Sequence, residues 1–135
     1  MTSPARVNLH TMGAARRAYQ NVDAQTASPA HILLRLYEGA IRFTREAQQA
    51  IKDKKPAKKG VLICKTMAII DELNTALDHD QAPELCSKLE RLYVYMLDQL
   101  SLANLKMDPE PLDQVLHHLT VLYEAWQQAA RDTGG

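Results

Sequence analysis

Apolar residues return at intervals of three and four along most of this chain, and that spacing predicts four amphipathic helices. The first runs from Ser28-Pro29 to about Asp53. Its apolar side carries Leu33, Leu36, Tyr37, Ala40, Phe43, Ala47, Ala50 and Ile51, widened by Ile32 and Ile41. Its polar stripe is Arg35, Glu38, Arg42, Arg45, Glu46, Gln49 and Lys52. Serine is a preferred N-cap, and proline at the first helical position has its φ preset and no N–H to lose. The tract Lys54-Lys55-Pro56-Ala57-Lys58-Lys59-Gly60 reads as a solvated loop by its Pro, Gly and charge. A second helix follows from Val61 to Leu77, with a start within the Lys tract left open. Its apolar residues cover more than half the circumference, so it must be packed on more than one side.

The turn 78–83, with Asp80 as a candidate cap, leads into a third helix from about Pro83 to Met107. Leu85, Leu89, Leu92, Tyr93, Met96, Leu100, Ala103 and Met107 form one seam, and Tyr95, Leu102 and Leu105 lie off it. Asp108-Pro109-Glu110-Pro111 places acids at a helix start, where the dipole favours them. The last helix runs to about Arg131 with Leu112, Val115, Leu116, Leu119, Leu122, Trp126 and Ala129 on its face. Before all of these, residues 1–27 show only mixed spacing at Val7, Leu9, Met12, Ala15 and Tyr19, which reads as a mobile arm with a marginal helix. The expected fold is all-α: an antiparallel up-down four-helix bundle over 28–132, an N-terminal helical cap segment over 1–27 and a disordered tail at 133–135.

Composition narrows the function. The 135 residues suit one domain, and 46% apolar content excludes global disorder. Sixteen Lys/Arg balance sixteen Asp/Glu, so the basic excess of a simple nucleic-acid binder is missing. The balance hides a polarity of +7 over residues 1–60 and −7 over 61–135. Either the halves attract one another in the fold, or they offer faces of opposite sign to different partners. Cys64 and Cys86 are too few for a disulfide framework, and both sit among apolar residues as small core side chains would. No run approaches the about 18 apolar residues that span a bilayer, and no signal-peptide pattern opens the chain, so the cytosol is the expected compartment.

Bundles often hold metals, but no Glu here is followed by His at the third position, the pairing that di-iron bundles use. No haem-attachment or phosphate-loop motif occurs. His117 and His118 are neighbours, and adjacent helical residues diverge by about 100°, which suits surface histidines better than a shared metal. A phosphotransfer histidine would want a nearby base, and Leu116, Leu119 and Thr120 supply none. No enzyme activity, metal or cofactor is expected.

The surplus is apolar helix surface. It can serve a tightly packed core or homodimer, or a groove for partner helices. Candidate groove residues are Leu36, Tyr37, Ile41, Met67, Ile70, Leu73, Tyr95, Met96 and Asn104, with core packing open for Tyr37, Met67 and Met96. Gly39, inside a helix, suggests close helix approach, and Trp126 suggests a core anchor.

Several strings in order resemble the flagellin-specific export chaperones of the FliS family. They are Ala18-Tyr19-Gln20, Thr26-Ala27-Ser28-Pro29, Leu36-Tyr37-Glu38-Gly39-Ala40-Ile41-Arg42-Phe43, Ile69-Ile70-Asp71-Glu72-Leu73, Leu92-Tyr93-Val94-Tyr95-Met96 and Ala103-Asn104, with Trp126 in the last helix. The resemblance implies a cytosolic bundle that binds the C-terminal helices of newly made flagellin and prevents premature polymerisation. It further implies contact with the export gate of the flagellar type III secretion apparatus, no cofactor, and an N-terminal arm lying over the empty groove, with Tyr19 in that cap. The free chain is expected as a monomer or weak dimer. The family's Leu-Tyr-Asp-Tyr-Met-x-Arg-Arg-Leu run departs here: Val94 replaces the acid, and Asp98-Gln99 replace both arginines. The family's Gly-Gly before the third helix is Ala82-Pro83.

Overall fold

Three prolines mark helix starts in the computed structural model, which describes residues 17–19 and 29–132. The expectations for the rest of the arm and for the tail fall outside the described residues. Helix α1 spans Pro29–Lys52, α2 Pro56–Thr75, α3 Pro83–Lys106 and α4 Glu110–Asp132. Each proline occupies a position where a helix has no N–H to lose. Asp108 Oδ1 accepts from the Glu110 N–H at 3.0 Å, so the acidic start of α4 is built as its spacing predicts. Asp80 is not the cap of α3. That position is Ala82, without a side-chain hydrogen bond.

The lysine tract is the clearest difference from the sequence pattern, since α2 already begins at Pro56. Its Ala and Lys residues are good helix formers once proline has set the first turn. Lys59 is buried, and its Nζ donates to the Asn104 carbonyl at 2.9 Å. That carbonyl lies in the last turn of α3, where a cation complements the helix dipole. Asn104 thus contributes its backbone oxygen to the bundle itself.

Helix α1 packs on α2 and α4, and α3 packs on the same two, which closes a square. The directions alternate. Gln48, late in α1, donates to the Asp113 carboxylate early in α4 at 2.7 Å, and Tyr123, late in α4, donates to Glu38 early in α1 at 2.7 Å. The core runs through all four helices, with Tyr37, Ile63, Ile70, Leu73, Tyr93, Met96, Leu100, Leu112 and Leu119 at most 1% exposed. Each such side chain contributes about 1.5–3 kcal/mol relative to exposure. Buried Thr44 and Thr66 return their hydroxyls to the Ala40 and Leu62 carbonyls, so neither leaves an orphaned donor.

Helix α2 is covered by α1 and α3, as its broad apolar surface requires, while Val61, Lys65 and Ala68 remain outside. Cys86 is buried as expected, but Cys64 faces solvent on this outer side. Gly39 is not an obligate close approach: a Cβ there would stand 3.5 Å from Ile69 Cδ1, an ordinary contact. Gly39→Ala should therefore raise stability by about 1 kcal/mol, from helix propensity alone, in a denaturant titration.

Candidate partner-binding site

Residues 17–19 belong to none of the four helices, yet they sit against the bundle. The Asp78 N–H donates to the Ala18 carbonyl at 2.7 Å, and Arg17 Nε donates to the Gln81 carbonyl at 3.3 Å. Both contacts lie in the turn between α2 and α3. They anchor the segment at the end of the bundle where α1 and α3 begin.

From that anchor Tyr19 reaches the interior. Its ring meets Trp126 edge-on with centroids 5.8 Å apart. Its hydroxyl is hydrogen-bonded to that of Tyr93, which shares a second hydrogen bond of 2.5 Å with Tyr37. Three phenols, from the N-terminal segment, α1 and α3, thus form one chain with Tyr93 in the middle. Helical register explains the convergence: Tyr37 and Tyr93 occupy inward positions of α1 and α3, and a buried phenol needs a partner for its polar tip.

The cluster is dry. Burial pushes the Tyr37 phenol up to about 12 and holds Tyr19 and Tyr93 well above the usual phenol range. The Trp126 indole N–H is buried without a hydrogen-bond partner. It lies near enough to the Tyr37 oxygen to favour the ionised form somewhat, against the larger effect of burial. Because these phenols hold their protons more tightly folded than unfolded, the stability they contribute is present below about pH 10. It is lost as pH rises through the folded value, about 12 for Tyr37. Thermal melts should show a steep alkaline decline over that range, reduced when the three tyrosines are replaced by phenylalanine.

A second feature is the outer face of α3. Val94, Tyr95 and Leu105 are exposed there, Leu105 at 84%, and Leu102 is half-buried. The Tyr95 ring stands edge-on to His118 of α4 at 5.8 Å, and His118 in turn meets His117 at 5.2 Å. Burial, then the neighbouring His117, lowers the His118 pKa, and its Nδ1 has no hydrogen-bond partner. Among the described residues no group of His, Cys, Asp and Glu is arranged to hold a metal ion, and no helix is long and apolar enough to cross a membrane.

The nine candidate groove residues do not share one open surface. Tyr37, Ile41, Ile70, Leu73 and Met96 lie in the core, because their helical stripes face neighbouring helices. Leu36 and Met67 are half-buried at its margin, Asn104 is half-buried, and Tyr95 is exposed. Of the nine, Tyr37 is joined to Tyr19, through Tyr93. Sequence reasoning placed Tyr93 and Trp126 in the core but did not connect them to Tyr19. The available signal was a set of phenols at apolar positions, each needing a polar partner.

The chain is similar to known proteins over most of its length. The family model described as flagellar protein FliS matches residues 12–133. A flagellar secretion chaperone FliS of Bacillus subtilis strain 168 is 37% identical over 112 residues, covering 83% of this chain and 83% of that protein. One from Campylobacter jejuni is 32% identical over 114 residues, covering 84% and 89%. The flagellar secretion chaperone FliSB of Pseudomonas aeruginosa is 33% identical over 116 residues, covering 83% and 92%. A closed four-helix bundle with a tyrosine-tipped N-terminal segment seated in its end is thus the form taken here by a member of the FliS family, to which this chain belongs.

Proposed function

We propose that this protein is a non-enzymatic cytosolic export chaperone that binds the C-terminal helical region of flagellin and keeps it from polymerising before export. Delivery would be to the flagellar type III secretion apparatus, with its export gate as a second partner. The observation that carries the reading is the seat of Tyr19: a segment outside the four helices fills an interior site that a partner helix could take over. In this reading residues 17–19 are a displaceable cap. Tyr37 lies beneath it, and Leu36, Met67, Tyr95 and Asn104 form accessible margins for the incoming chain. The exposed Val94, Tyr95 and Leu105 supply further apolar contact.

The energetics support a large apolar contact. A disordered flagellin terminus that folds on binding loses several kcal/mol in ordering, and burial of apolar surface offsets that loss. The test is calorimetry and circular dichroism of the full chain with a peptide spanning flagellin's C-terminal helical region, taken from the same genome. Helical signal should exceed the sum of the separate components, with heat released or absorbed on mixing. Absence of both would reject the chaperone reading.

A further inference from the structure

We propose that the seat beneath Tyr19 is a specificity pocket, which takes a partner helix bringing a hydroxyl or carboxamide side chain to Tyr37, Tyr93 and Trp126 and discriminates against a purely hydrocarbon one. This rests on the reading that a flagellin helix displaces residues 17–19, and it adds the chemistry the helix must carry there.

The floor of the seat is polar though the walls are not. Tyr93 is fully buried and its hydroxyl has partners on two sides, Tyr19 and Tyr37. When Tyr19 leaves, one side of that hydroxyl is vacated. Water can serve it only while the seat is open. A helix that closes the seat with Leu or Val alone shuts the hydroxyl away with one partner missing. The Tyr93 hydroxyl keeps its bond to Tyr37 but loses the other, and the cost of that lost hydrogen bond falls on the complex.

Trp126 adds a second demand. Trp126 is 6% exposed, and its buried N–H lies near the Tyr37 oxygen without making a well-formed hydrogen bond, even with Tyr19 in place. The seat therefore holds one donor with a poorly aligned acceptor and one hydroxyl that will lose a partner. A Ser, Thr, Asn or Gln side chain offers an acceptor and can also donate. A carboxylate would accept as well, but would lose its hydration among side chains this deeply buried. Discrimination of this kind follows from unpaired groups in the site, which separate ligands more sharply than one methylene more or less does.

The experiment is a coupling cycle on the full chain with the flagellin C-terminal peptide. Each Ser, Thr, Asn and Gln of the peptide is replaced in turn by Ala, Val, Leu or Met. Binding is measured to the wild-type protein and to Tyr19→Phe/Tyr37→Phe/Tyr93→Phe, which keeps every ring but removes the hydroxyls. One peptide substitution should weaken binding to wild type about 10-fold or more and have much less effect on the triple variant. Separately, Tyr19→Phe, which loses a bond of the closed state only, should bind the unaltered peptide several-fold more tightly than wild type. Tight binding with every polar substitution costing the same in both proteins, and in Trp126→Phe, would overturn the pocket while leaving the chaperone reading intact. No binding of any peptide to wild type would reject that reading, and the pocket with it. Should the triple variant fail to fold, Tyr19→Phe/Tyr93→Phe, which leaves one hydroxyl rather than two without its bond to Tyr93, takes its place in the cycle, and the same two outcomes decide.

Discussion

Leu89→Asp is expected to unfold the bundle, whereas Tyr95→Asp, less than two turns along the same helix, is expected to leave it folded. Leu89 is 4% exposed and belongs to the core, so a carboxylate there would be buried among apolar side chains. Such a charge costs several kcal/mol, a large share of the about 5–15 kcal/mol that holds a domain together. Tyr95 is 40% exposed on the outer face of α3. Its replacement removes an edge-on contact with His118 and should cost less than about 1 kcal/mol. Circular dichroism melts separate the two. The proposed function adds that Tyr95→Asp weakens the flagellin peptide by about 10-fold, as loss of an aromatic contact at an interface does. Equal unfolding by both variants would place Tyr95 in the core.

The second large effect falls on Tyr93. Tyr93→Phe removes the middle hydroxyl of the phenol chain and leaves both Tyr19 and Tyr37 without the bond each makes to it. Two buried hydroxyls so orphaned cost about 2–4 kcal/mol together, lowering Tm by on the order of 10 °C. Tyr19→Phe and Tyr37→Phe each break one bond and should cost about half as much. The triple phenylalanine variant removes all three polar groups at nearly constant shape and should recover most of the loss. That non-additive order, with the triple variant more stable than Tyr93→Phe alone, is the signature of a connected chain. If Tyr93→Phe costs no more than Tyr19→Phe, the middle role is wrong.

These two expectations differ in how far they can be traced to the linear pattern. The seam through Leu89 and the off-seam position of Tyr95 follow from counting along one helix, and burial agrees with both. The expected surplus of apolar wall is another matter. Ile70 and Leu73 are groove candidates by their spacing, but α1 and α3 between them cover α2, and the large exposed remainder among the described residues is Val61, Val94, Tyr95 and Leu105. Periodicity reveals how wide an apolar stripe is. How much of that width the neighbouring helices consume depends on how they pack.

Local chemistry decided the helices themselves: spacing of three and four, proline at the first turn, acids before α4. Those signals act over a few residues, and the helix boundaries outside the lysine tract agree with them to within a residue or two. The early start of α2 stayed one of two readings, because a lysine tract reads as solvated until Lys59 is seen against the carbonyl of Asn104, 45 positions away. The phenol chain escaped for the same reason on a larger scale, since Tyr19, Tyr37 and Tyr93 come from three separate segments. A hydrogen bond needs atoms within about 3 Å, and only the assembled bundle brings such distant residues that close.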